Sequence, residues 1–332
     1  MPSSVTDEFS AAVSRQDLER HIEAAQARVR NPIEGVFGAD SATWRVSRES
    51  ALFLGAGRAA LLQLAHPWVA VALDQHSSLL AKPIVRFHST FRVVFTMVFG
   101  SAPQAFRAAR SLYQRHTVIT GELPGDVASY SKGSRYQALH LPALLWVYAT
   151  LIDSAVTAYQ SVLPPLDDAQ LAAYYAESKI LAGLFGLPPE ALPADWPCFQ
   201  VYVNEMTASQ ALGVDDRSRA MAQRIMTGAG SSIPIPRWYQ ALTAQWLPPR
   251  FREEFALPFE PEDQRRAQRA MDFLPRIYTK LPAFLRYVGP YREAQARIDD
   301  RAAGFITRRS NRFWIGQPRM PFAPNTTDSA NH

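Results

Sequence analysis

Along residues 102–119, Ala102, Ala105, Phe106, Ala109, Leu112, Tyr113 and His116 recur at spacings of three and four. That period marks one apolar face of a helix. His116 ends the stripe and is expected to point inward. A lone histidine on such a face is often no more than a hydrogen-bonded core residue. The same placement suits an iron ligand, because a neutral imidazole can bind haem iron through one ring nitrogen while the other donates to a carbonyl or water. Spacing alone leaves both readings open.

A second candidate is Arg58, within Gly55-Ala56-Gly57-Arg58-Ala59-Ala60. The run loosely matches the dinucleotide-binding fingerprint, but that motif needs a strand before it, and here Pro67 opens another helical run through Trp68 and Val71 to Asp74. A buried glycine-rich helix fits better. Its small residues at 51, 55, 56, 59 and 60 would let a backbone or a flat ring approach closely. Arg58 then needs an anionic partner, which a haem propionate, a substrate or a buried acid such as Asp153 could supply. Tyr148 stands out on an apolar run, Leu144 to Ile152, either as a hydroxyl satisfied in the core or as a donor facing bound oxygen or substrate. Phe87, Phe91, Phe95 and Phe99 form a ladder at every fourth residue, primarily core, with lining of a ring-shaped cofactor as the alternative reading. His66, Asp74 and His76 lack the helical spacing that forces metal ligands to converge. No nucleophile elbow or phosphate loop is present, which disfavours ordinary hydrolase and kinase chemistry.

The elements that must hold these residues read as helices at about 47–66, 68–80, 84–99, 102–119, 142–162, 168–185, 196–212, 216–228, 236–247 and 262–287. No convincing alternating strand appears. Ser101 to Gln104 and Asp167 to Gln170 form candidate capping boxes, and Pro67, Pro103 and Pro142 sit at helix starts. The expected fold class is all-α: a single large helical domain at residues 44–295. An N-terminal peripheral arm, 1–43, and a C-terminal extension and tail, 296–332, would flank it.

Bulk properties narrow the classes. With 332 residues and 47% apolar content the chain can bury a large core. The single cysteine, Cys198, makes no internal disulfide. No leader-like apolar run opens the sequence and no stretch of about twenty apolar residues occurs, so a soluble, cytoplasmic protein without a transmembrane segment is expected. Peripheral membrane contact and oligomeric state stay open. The net charge of +5 comes from arginines spread among acids rather than clustered, which argues against nucleic acid as a partner.

Several blocks taken together resemble a known family. They are Gly55 to Val69, with Arg58 and His66-Pro67-Trp68; His76-Ser77; Val98-Phe99-Gly100; His116 with Thr120-Gly121; Leu145 to Leu151; Leu247 to Arg252; and Leu281 to Arg286. Their order is similar to that in bacterial relatives of the latex-clearing (rubber-cleaving) and MpaB-type oxygenases. The resemblance implies an extended globin-like core with additional helices, one haem b, and oxidative cleavage or oxidation of a small apolar, unsaturated or aromatic molecule by O2. It also implies His116 as the proximal iron ligand and Arg58 near the opposite face of the haem. Tyr113 and Thr120 stand where rubber cleavers carry arginines flanking that histidine, and Tyr148 replaces a histidine common in relatives. With Phe91 from the ladder, the expected haem contacts are His116, Arg58, Tyr113, Thr120 and Phe91, and the expected catalytic donors are Arg58 and Tyr148. The alternatives are peroxidase-like oxidation, a non-catalytic haem protein that senses gas or carries haem, and a helical scaffold without cofactor.

Overall fold

The computed structural model describes residues 12–77, 83–229 and 234–323. The chain opens with α1 (Arg15–Arg28) and α2 (Ala42–Ser47), and a 3-10 turn (Ser50–Gly55) leads into α3 (Ala56–Leu64) and α4 (Pro67–His76). Next come α5 (Pro83–Phe99), α6 (Ala102–Thr117), the short strands β1 (Thr120–Glu122) and β2 (Arg135–Gln137), and α7 (Leu141–Val162). Then follow α8 (Asp168–Leu184), α9 (Trp196–Ala208), α10 (Asp216–Thr227), α11 (Arg237–Trp246) and α12 (Pro249–Glu254). The chain finishes with α13 (Pro261–Tyr278), α14 (Ala283–Arg286), α15 (Gly289–Ile298) and α16 (Phe305–Ile315). With 67% of the described residues helical, the fold is all-α in one domain.

Local chemistry sets the helix starts. Gln104 Oε1 accepts from the Ser101 N–H at 2.9 Å. Asp167 Oδ1 accepts from Gln170 N–H at 2.8 Å while Gln170 Oε1 accepts from Asp167 N–H at 3.1 Å. Each reciprocal bond satisfies a donor that a helix end would leave orphaned. Proline at the first positions of α4, α6 and α7 costs nothing there.

The core has two halves. One is built around α7, whose Trp146, Tyr148, Ala149 and Ile152 pack with Leu61, Leu62, Phe199 and Phe251. The other gathers Phe95, Phe99, Ala105 and Ala109 of α5 and α6 with Leu18, Ile22, Trp44 and Ile315. Tyr113 and Phe185 touch both halves, so the core is continuous. A Cβ at Gly55 would lie 2.4 Å from the Ser154 carbonyl oxygen, which shows how closely this turn meets the backbone of α7. The small residues there serve helix packing.

Three features depart from the sequence expectation. A two-stranded antiparallel ribbon pairs Thr120 with Gln137 and Glu122 with Arg135; strands of three residues are too short to show alternation. The run expected as one helix at about 47–66 divides at the 3-10 turn, and the run at about 262–287 ends at Tyr278, ahead of Pro282. In the described part of the N-terminal segment, α1 buries Leu18, Ile22 and Ala25. The C-terminal extension packs equally well: Trp314 stacks on Phe53 at 3.9 Å, and Met320 N–H donates to the Glu293 carboxylate at 3.0 Å. The end of the expected helix at about 68–80 and the tail beyond residue 323 lie outside the described residues. By length and composition α7 could cross a membrane, though 67% of its most apolar window is buried inside the protein.

Candidate active site

His116 lies in the last turn of α6. The buried face of that helix, Ala102, Ala105, Phe106 and Ala109, anchors it to the core. The stripe then emerges from the close-packed region through half-buried Tyr113 to His116. The imidazole keeps some accessible surface although protein surrounds it on most sides. The ring is thus neither in bulk water nor in the close-packed core. Burial, then the nearby Arg86 and Arg115 guanidinium groups, push its pKa down to about 4. At neutral pH the ring is therefore uncharged and offers a lone pair. No hydrogen bond from a described side chain engages it.

Arg86 and Arg115 are the unexpected members of the site. Burial and the Arg115 charge hold Arg86 below the ordinary arginine range, yet a guanidinium stays protonated in proteins. No carboxylate pairs with Arg86, Arg92 or Arg115 among the described residues; Arg92 Nε donates to the Ile315 carbonyl at 3.1 Å and Arg115 Nε to the Ser111 carbonyl at 3.4 Å. The sequence carries the signal, since residues 75–121 contain no Asp or Glu. Cations in such a run must find a partner far along the chain or from a ligand. Arg110 finds one in Glu19, at 2.7 Å.

The other expected site residues fall elsewhere. Arg58 Nη1 lies 2.6 Å from Asp153 Oδ2 and donates to Ser154 Oγ at 2.9 Å, while its Nε donates to the Trp246 carbonyl at 3.0 Å. Its charge is matched inside the α3, α7 and α11 packing. Tyr148 is 1% exposed and its hydroxyl is bonded to Ser178 Oγ at 2.8 Å. Burial raises its pKa well above the ordinary phenol range, so it is a neutral core hydroxyl. These contacts give both side chains partners within the protein. Phe91 packs on Phe53 at 4.6 Å and Phe87 at 4.7 Å, half-buried along α5. Thr120 is exposed on β1, and its carbonyl lies 3.0 Å from His76 Nε2. Of the expected haem contacts, Tyr113 and His116 share α6, Phe91 lies on the neighbouring α5, Thr120 follows α6, and Arg58 lies on α3. Changing Tyr148 to Phe is expected to cost about 1 kcal/mol of stability, the worth of one buried hydrogen bond. It should leave turnover within a factor of two, as steady-state rates on folded protein would show.

His66, Asp74 and His76 do not converge. Asp74 pairs with Arg217 at 3.0 Å, and His76 Nε2 lies 3.0 Å from the Tyr136 hydroxyl. No trio of metal-ligating side chains gathers among the described residues. His66 is fully buried against Trp68 and Tyr130, with neither ring nitrogen bonded, and burial followed by the neighbouring His140 pushes its pKa down to about 3. Its folded pKa is thus below the unfolded value, so the unfolded chain binds the extra proton first. Stability is full above about pH 6.5 and is expected to fall with acid toward pH 3, by at most about 1.4 kcal/mol per pH unit from this group. Urea melts of wild type and His66→Phe across that window check this, the variant showing the shallower slope.

No curated protein and no solved structure matches the chain. Residues 44–276, from α2 to the last turn of α13, match the family described as ER-bound oxygenase mpaB/B'/rubber oxygenase, catalytic domain. A match over that much of the sequence, spanning α5, α6 and the helices that support them, means that the chain belongs to the mpaB and rubber oxygenase catalytic-domain family.

Proposed function

We propose that this oxygenase-family domain is haem b-dependent, binds iron through His116, and oxidises or cleaves a small apolar unsaturated or aromatic molecule with O2. One observation carries the reading. A neutral, partly exposed imidazole without a protein hydrogen bond stands near arginines that have no carboxylate partner among the described residues. The donor set fits haem on three counts: a basic nitrogen for iron, a cation for the ring's carboxylates, and aromatic surface for its edge. His116 would hold the iron. Arg86, whose charge reaches His116 and which lacks an acid partner, would take the carboxylate charge. Phe87 and Phe91, half-buried on the neighbouring α5, would supply the apolar surface. Bound haem would supply the dioxygen chemistry that no side chain provides.

The remaining steps belong to the chain. The depressed pKa keeps His116 unprotonated and available throughout the neutral range. The uncompensated positive potential of Arg86 and Arg115 favours any negative charge that develops nearby in the transition state. The test is an absorption spectrum of protein produced with ample haem supply, before and after reduction and carbon monoxide. A Soret band that shifts with carbon monoxide supports the reading; colourless protein that takes up no haemin overturns it. Oxygen uptake with product formation separates an oxygenase from a haem protein that only carries gas.

A further inference from the structure

Beside the His116 turn, a recess of about 350 Å³ opens between α5, α6 and the chain that follows α16. Ser89, Arg92 and Val93 line it from α5, Ser111 and Arg115 from α6, and Phe322 from the C-terminal segment. Its size falls in the lower part of the range for small-molecule pockets. Gln317 adds an amide from the chain after α16, and Val93, Ala108, Pro321 and Phe322 supply the apolar surface. No acidic residue lines it.

Arg92 and Arg115 line one concavity, where their like charges repel each other. A folded protein relieves such an arrangement with a carboxylate, as Arg110 does with Glu19. Here none is supplied. Arg92 is held in place by its bond to the Ile315 carbonyl, and its remaining guanidinium N–H groups have no acceptor among the described residues. The serine hydroxyls at 89 and 111 add further donors. This is the complement of a single anionic head attached to an apolar body.

We propose that this recess is a binding site for a medium-chain aliphatic carboxylate, the acid held by Arg92 and Arg115 and the alkyl chain lying against Val93 and Phe322. Its existence does not depend on haem; it rests on the oxygenase reading only in that a ligand beside the His116 turn would be a substrate or product. The ligand class then deepens that reading: the molecule oxidised has an acidic end.

The test is calorimetric titration of the full chain with sodium octanoate, with 1-octanol and with inorganic phosphate, in low salt. It uses wild type, Arg92→Met, Arg115→Met and His116→Ala. We expect octanoate to bind one to one, and octanol and phosphate each to bind at least about 10-fold more weakly, since a charge-assisted bidentate pair and the apolar contact each contribute that much. Each arginine variant should lose about 10-fold in octanoate affinity while its melting temperature stays within about 4 °C of wild type. Octanol or phosphate binding as tightly as octanoate, or either variant binding like wild type, overturns the site. Octanoate bound by haem-free protein but expelled on haem loading overturns it too, since the arginines would then serve the cofactor's own carboxylates. Colourless protein that still binds octanoate through Arg92 refutes the haem assignment alone.

Discussion

His116→Ala is expected to abolish the Soret band of haem-supplied protein, lowering haem affinity by on the order of 100-fold or more, because the substitution removes the proposed iron ligand. Oxygen-dependent turnover should vanish with it. Stability should change by less than about 1 kcal/mol, because the ring makes no hydrogen bond and already has accessible surface. The contrast between a large spectroscopic loss and a small stability loss identifies a ligand. A core histidine would give the opposite pattern. Imidazole added to the variant should restore colour by entering the space left by the side chain. A Soret band that survives the substitution unchanged removes His116 from the iron.

Asp153→Leu should do the reverse. It strips the partner from the Arg58 guanidinium, whose side chain is only 10% exposed, and leaves a buried charge held by Ser154 and the Trp246 carbonyl alone. The expected cost is about 3–5 kcal/mol. At a slope of about 3 kcal/mol per molar of urea, that shifts the unfolding midpoint by more than about 1 M. The double variant Arg58→Met with Asp153→Leu should recover most of the loss, since removing both charges leaves nothing uncompensated. Turnover per folded molecule should be near wild type. If Arg58→Met instead folds as well as wild type and is inactive, Arg58 acts on the substrate and its pairing with Asp153 is secondary.

What could be read from the sequence and what could not divides along physical lines. Helix periodicity, capping pairs and proline positions are local, so α5 to α8 emerge within a few residues of their observed bounds. The inward stripe of α6 is local as well, and it led to His116. Partner choice is not local. Arg58 and Asp153 are 95 residues apart in sequence, and only the packing of α3 on α7 decides that they meet rather than Arg58 meeting a ligand. Tyr148 poses the same problem, its acceptor Ser178 lying on α8. The arginines were missed for a different reason: a charged residue on a helix reads as a solvated face. The acid-free stretch 75–121 held the correcting information, because a run of cations without local acids marks where an anion must come from outside. The β1 and β2 ribbon has no sequence signature at this length.

The covering of α5 by α16 separates two kinds of inheritance within one chain. The family match ends at residue 276, yet Ile315 holds Arg92 and Phe322 walls the recess. The helices bearing His116 and Arg86 thus belong to the shared domain, while part of the neighbouring wall is written in sequence beyond it. On the proposed reading, changes in that terminal stretch retune which molecules the recess takes without disturbing His116 or its supports, so ligand preference diversifies apart from the proposed oxidative centre.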